Sequence, residues 1–413
     1  MTMKPTLSPT APAQRIAILD TLRGFAIFGI LMVNMQWMNA PVAFSFSPEV
    51  LWDTPPDRAA SFIIHALFES KFFVLFSMLF GYGFWLFLQK PVSEGSGVVK
   101  LYAWRLILLI FFGAAHVLFL WPGDILVFYG LLGLVMLLFR KKKDKSLIKW
   151  AVGFILIPST LTGLSVLMMY LASFSAEGQA AVNLAMEQRD AVSQALINEA
   201  MQVYPSGTFW DLVAMRLKEY KLLLPAIFFF YPYVLAMFLL GQYAARKGFL
   251  MDVASNANLF KKLMRWGLFL GIPLNLCYGM LSMNASMNSM DASTVVSTLL
   301  IGFGGPLLTL GYVSAIVLLF NGGYIKKVLS SLSAVGRMAL TNYLLQSIVV
   351  AFLFQSYGLG LYGQVTVWQG MILTILIFAL QVPFSIWWLS NFRFGPFEWL
   401  WRSFTYLKFQ PMK

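Results

Sequence analysis

The sequence predicts an all-α fold, a polytopic transmembrane helix bundle of about ten spans with both termini in the cytoplasm. Three observations predict it. The first is composition: 59% of the 413 residues are hydrophobic and 11% are charged. The mean hydropathy is +0.74, which does not describe a soluble globule. The second is run length. Apolar stretches at 22–39, 70–89, 101–120, 124–140, 149–172, 222–245, 264–283, 294–320, 338–357 and 368–390 are on the scale of the ~20 residues a helix needs to cross a bilayer. The alternating pattern of a β-barrel is absent, so the spans are helices. The third is charge placement. With the N terminus inside, only Arg58, Lys71, Arg189, Arg216, Lys218 and Lys221 fall outside, and the other 24 of 30 Lys and Arg fall inside. That bias sets the orientation.

The elements follow in order. Residues 1–14 are rich in Pro, Thr and Ser and predict a mobile cytoplasmic tail. No small-residue cleavage site follows the first span, which is expected to stay as an anchor. That span opens on Asp20 and Arg23, three residues apart and able to pair. Residues 40–69 make an outer connection through Pro41 and Pro55-Pro56, returning by His65 and Glu69. An N-terminal transmembrane half covers 15–172, and its loop Arg140-Lys141-Lys142-Lys143 is a positive-inside anchor. Residues 173–221 form a long outer segment. Its middle, Ala180–Val203, consists largely of strong helix formers with no spanning apolar run, so it reads as a helix lying over the outer mouth, either a lid or a passive connector. Residues 222–413 form the C-terminal half. Pro225 and Pro232 should kink the sixth span. Phe80-Gly81-Tyr82-Gly83 and Leu240-Gly241-Gln242-Tyr243 are only loosely alike, so no internal repeat of the kind that builds many transporters is evident.

Several function classes fall away. The net charge of +13 follows topology, which argues against nucleic acid as a partner and leaves the lipid bilayer as the medium of the chain. The single cysteine, Cys277, allows no disulfide within the chain, and two distant histidines offer no metal site.

The residue that stands out is His116. An ionisable group at bilayer depth is costly, and its default reading is functional. Arg105 lies eleven residues earlier, close to three helical turns, so the two share one face about 16 Å apart along the axis. This sets a cationic anchor for an anionic group at the cytoplasmic edge, with a base buried below it. The alternative is a histidine hydrogen-bonded into a helix contact. Asp124, in the turn Trp121-Pro122-Gly123-Asp124, either orients a substrate or serves the turn. Asn34 lies fourteen residues after Asp20, on the same face, where a buried amide must find partners. His65, four residues from Glu69, is a competing base or a satisfied pair at the outer edge. Asn342 and Gln346 are also i,i+4 and read as interhelical hydrogen-bonding residues.

Leu19-Asp20-Thr21-Leu22-Arg23-Gly24 before an apolar span resembles the opening of the membrane-embedded acyltransferase superfamily, which includes acyltransferase-3 proteins and heparan-glucosaminide acetyltransferases. Where the acyltransferase-3 pattern has histidine this chain has Asn34, as the heparan type does. Arg105-x10-His116 resembles the acyl-CoA motif of acyltransferase-3 proteins. More narrowly, Phe76–Gly83, Gly123–Leu126, Gly336–Ser347 and Phe394–Arg402 are similar to the YeiB family, whose C-terminal part is domain of unknown function 418.

The superfamily resemblance implies an acyl-CoA-dependent acyltransferase in a bacterial inner membrane. Its acceptor would be a glycan or lipid on the outer side and acyl-CoA its co-substrate, not a permanently bound cofactor. His116 would act as base, Asp124 and Asn34 as lesser catalytic partners, and Arg105, helped by Arg23, as the CoA anchor. A permease or exporter of a small polar or anionic solute is the alternative from another class. The oligomeric state is left open by the sequence.

Overall fold

The computed structural model describes residues 16–47, 50–89, 95–284, 292–323 and 326–413; the predicted tail 1–14 lies outside them. The described residues form helices and turns, with no strand. The N-terminal half contains α1 (Ala17–Met38), α2 (Pro55–Ile63), α3 (Lys71–Leu88), α4 (Gly95–Phe119), α5 (Leu126–Met136) and α6 (Asp144–Ala172). The outer helix α7 (Ala176–Ser206) then leads into α8 (Phe209–Arg246). The remainder is α9 (Ala257–Asn284), α10 (Ala292–Leu299), α11 (Gly305–Asn321), α12 (Lys326–Arg337), α13 (Ala339–Phe354), α14 (Val367–Asn391) and α15 (Pro396–Tyr406).

This is a multi-pass α-helical membrane protein. Among the described residues, seven helical segments are long and apolar enough to cross a bilayer alone, and two bent pairs bring the number to nine. Leu126–Phe139 is a shorter apolar helix, so each of the ten apolar stretches of the sequence lies on a helix. The sixth bends by 76° between Pro225 and Phe230, and the ninth by 79° between Arg337 and Ala339. Pro225 supplies a reason for the first break, because proline removes a backbone donor and clashes with the preceding turn.

The connection 40–69 is more ordered than a loop. Thr54 accepts the Asp57 amide at 3.4 Å and Pro55 and Pro56 occupy the first helical positions, where proline costs nothing. The helix continues through a π-helical turn, Ile64–Phe68. Ser70, at φ 68° in the left-handed region, then redirects the chain into α3. Thr208 and Asp211 cap each other at the start of α8, and Gln369 accepts the Thr366 amide at 3.0 Å at the start of α14, satisfying orphan backbone donors.

Glycines let the spans approach closely. A Cβ at Gly81 would stand 2.0 Å from the Phe238 carbonyl oxygen, and one at Gly241 1.9 Å from that of Met78. The two loosely similar segments are therefore the two sides of the α3–α8 crossing. Gly24 and Gly336 do the same for α1 and α12, and Gly267 and Gly311 for α9 and α11. With lipid as apolar as leucine, such close packing is a main source of helix association in a bilayer.

The outer segment is two-part. The last turns of α7 bury Ser193, Ile197, Ala200 and Tyr204, and Ala200 and Tyr204 share a cluster with Trp121, Leu212, Met215 and Phe354. The earlier half of α7 is largely exposed.

Candidate active site

The polar centre of the bundle forms where α4 ends, α5 begins and α13 crosses both. His116 sits three residues before the end of α4, and its side chain is fully buried, as is that of Asp124. Asp124 Oδ1 comes within 3.0 Å of His116 Nδ1. The ring N–H is not aimed at that oxygen, so the contact is electrostatic and neither atom completes a hydrogen bond. Asp124 Oδ2 accepts the Val127 amide at 2.7 Å, capping the first turn of α5. Of the two roles considered for Asp124, Oδ2 takes the turn role, while Oδ1 faces His116. Gly113 makes room, since a Cβ there would lie 2.7 Å from Asp124 Oδ2.

On its other edge the imidazole meets α13. His116 Nε2 and Ser347 Oγ are 2.8 Å apart, and the Tyr343 ring, one turn earlier, lies 5.1 Å from the imidazole centroid. The Tyr343 hydroxyl is buried without a well-aligned hydrogen bond. Ser347 also lies 3.4 Å from the Tyr343 carbonyl, a long i−4 contact.

Arg105 is on the same helix as His116, toward the opposite end of the bundle. Its guanidinium stacks 3.8 Å from the centre of the Trp401 ring of α15 and 5.6 Å from that of Phe87. Trp401 Nε1 donates to the Arg105 carbonyl at 3.0 Å, which fixes the stack. No carboxylate pairs with Arg105 among the described residues; its polar surroundings include Tyr406, Tyr102 and Arg23. Arg23 itself bonds Asp20 at 2.7 Å and stays 30% exposed. Two guanidiniums and one carboxylate leave an excess positive charge at this edge.

Other candidates lie elsewhere. Asn34 is half-buried on α1 and makes no side-chain hydrogen bond among the described residues, so it does not join the His116 group. His65 pairs with Glu69, Lys71 Nζ donates to the His65 carbonyl at 2.9 Å, and Tyr278 packs edge-on to the His65 ring. This is a satisfied cluster separate from His116. Asn342 donates to the Val335 carbonyl at 3.1 Å and to Ser385 at 3.0 Å, while Gln346 donates to Gln381 at 2.8 Å, joining α13 to α14 as interhelical bonds. Among the described residues no group of three His, Cys, Asp or Glu gathers as a metal site would require.

The chain is 37% identical to the uncharacterized protein YxaH of Bacillus subtilis (strain 168), over 98% of each chain. The chain belongs to the YeiB/DUF418 family. The uncharacterized protein YeiB of Escherichia coli (strain K12) is 30% identical over 95% of this chain and 96% of its own. An uncharacterized 39.9 kDa protein from the amylase 3' region of Bacillus acidopullulyticus is 28% identical over 97% of this chain and 96% of its own. The family model "Protein of unknown function (DUF418)" matches residues 244–408, which include Ser347 and Trp401 but not His116, Asp124 or Arg105. In this DUF418 chain the polar centre is thus assembled from both halves.

Sequence reasoning missed two parts of this arrangement. Ser347 is 231 positions from His116, and no local signal in the sequence joins the two. The second is a buried clasp over the outer end. Arg216 donates to the Leu118 carbonyl at 3.0 Å and to Gln355, whose amide reaches the Leu120 carbonyl at 3.3 Å. Glu219 accepts from the Val42 amide at 2.9 Å and Tyr204 at 2.6 Å. The turn after His116 is thereby held by α8, α13 and the outer segment together.

Proposed function

We propose that the protein is an acyl-CoA-dependent transmembrane acyltransferase of the bacterial inner membrane, passing a small acyl group to a glycan or lipid hydroxyl or amine on the outer side. The observation that carries the reading is the buried His116, set between Asp124 and Ser347 on the same helix as Arg105, with which no carboxylate of the described residues pairs. An imidazole held this way accepts a proton from a hydroxyl or amine at Nε2 while Asp124 steadies the charge that develops. Arg105, stacked and pre-oriented, offers bidentate donors to the phosphates of CoA, and Arg23 adds to the field. The ~16 Å between the two positions along α4 is on the scale of an extended pantetheine arm.

His116→Gln, nearly isosteric and unable to act as a base, is expected to abolish acyl transfer from acetyl-CoA in nanodiscs while leaving acetyl-CoA affinity within about twofold, because uniform binding is untouched. Normal turnover in this variant would remove His116 from the reaction.

A further inference from the structure

We propose that Ser347 is a nucleophile and that the protein works through an acyl-serine intermediate, a step that rests on the acyltransferase reading above. The geometry is that of an imidazole with a hydroxyl beside one ring nitrogen and a carboxylate beside the other. Ser347 Oγ stands 2.8 Å from His116 Nε2, and Asp124 Oδ1 stands 3.0 Å from Nδ1 on the far side of the ring. These are the separations at which a base activates a hydroxyl and a third group orients the base, and such constellations recur on unrelated folds. Each member comes from a different segment: His116 from α4, Asp124 from the turn before α5 and Ser347 from α13.

The surroundings fit a covalent intermediate. His116 is 1% exposed, Ser347 1% and Asp124 2%. Burial of this kind shields an ester on Ser347 from bulk water, so the acyl group would last until an acceptor arrives. Tyr343, a turn before Ser347 and packed on the imidazole, has a buried hydroxyl without a well-aligned partner. A donor of this kind is what a developing oxyanion requires. A donor on one side of the membrane and an acceptor on the other need not then be bound together, because the acyl group waits on α13 between them.

The chemistry balances without a further reagent. The Ser347 hydroxyl proton passes to His116 Nε2 as Oγ bonds the thioester carbon. The carbon–sulfur bond then breaks, and the sulfur leaves with that proton as the CoA thiol. In the second half an acceptor hydroxyl or amine gives its proton to Nε2 and attacks the acyl carbon. The Oγ–carbon bond breaks, and Ser347 recovers its proton from His116. Nothing is oxidised or reduced.

The test is single-turnover labelling. Protein in nanodiscs is mixed with acetyl-CoA radiolabelled in the acetyl group, without acceptor. It is quenched in acid, and the label is located by peptide mass spectrometry and challenged with hydroxylamine. The expected result is a burst of free CoA approaching one per chain, with an equal amount of hydroxylamine-labile acetyl on Ser347. Ser347→Ala should bind acetyl-CoA as wild type does and take no label. Ser347→Cys should take label as a thioester, which a merely structural hydroxyl would not. Saturable acetyl-CoA binding with no covalent label, or label on another residue, would overturn the nucleophile and leave the acyltransferase reading intact. Absence of acetyl-CoA binding by the folded protein would overturn both.

Discussion

Asp124 offers a substitution that separates structure from chemistry, because its two oxygens do different things. Oδ2 accepts the Val127 amide at 2.7 Å, and Oδ1 faces His116 Nδ1 at 3.0 Å. Asp124→Asn can keep the cap with its carbonyl oxygen, but it then turns an amide N–H toward Nδ1. The ring must answer with a lone pair there and carry its proton on Nε2, where it donates to Ser347 instead of accepting from it. The variant is therefore expected to unfold within about 1 kcal/mol of wild type but to lose about 100-fold or more in acyl transfer, the share a positioned base supplies. Asp124→Ala removes both functions. The cap is worth about 1 kcal/mol. The off-axis contact to the imidazole belongs near the low end of buried polar interactions, about another 1 kcal/mol. The sum of about 2 kcal/mol is roughly a 30-fold shift in the unfolding equilibrium, measurable by SDS titration in mixed micelles. The reasoning is refuted if Asp124→Asn transfers acyl groups at the wild-type rate, or if Asp124→Ala is as stable as Asp124→Asn.

Two further substitutions probe the scaffold. Gly241→Leu would drive a side chain into the Met78 carbonyl, 1.9 Å from where its Cβ must stand. It should cost about 3 kcal/mol or more, whereas Gly153→Leu, with nothing within 4 Å, should be neutral; equal midpoints in the same titration would contradict the crossing. Arg216→Met should destabilise by about 1.5–3 kcal/mol, the worth of a hydrogen bond from a charged group, since it releases the Leu118 carbonyl and Gln355 and leaves Glu219 buried without its nearby cation. Adding Glu219→Gln should restore part of the loss, and additive costs in the double variant would deny the coupling.

The helices were legible because each needs a long apolar run, and every such run proved helical. The outer helix α7 was legible from its Ala, Gln, Glu and Met content, although it extends from Ala176 to Ser206, well past the predicted middle. The π-helical turn at Ile64–Phe68 and the left-handed Ser70 were not, since tertiary packing imposes both and no local propensity announces them. At the candidate site, His116 and Arg105 were legible because ionisable groups are rare in apolar sequence and the helical period relates them directly. Asp124 left two readings open, and the structure shows the turn cap to Val127 together with a contact to His116 that spacing alone did not announce. Ser347 was invisible as a site residue because hydroxyls are tolerated throughout membrane helices, and only the α4–α13 contact distinguishes this one. Asn34 shows the opposite case: it shares a helix face with Asp20 by spacing, yet it makes no side-chain hydrogen bond among the described residues.

The central claim is that acyl-CoA is the co-substrate, and equilibrium binding of labelled acetyl-CoA to the protein in nanodiscs tests it most directly. The account predicts saturable binding that is lost, or weakened at least about tenfold, in Arg105→Ala, as removal of a charged phosphate contact worth about 1.5–3 kcal/mol requires. No saturable binding by the folded wild-type protein would contradict it.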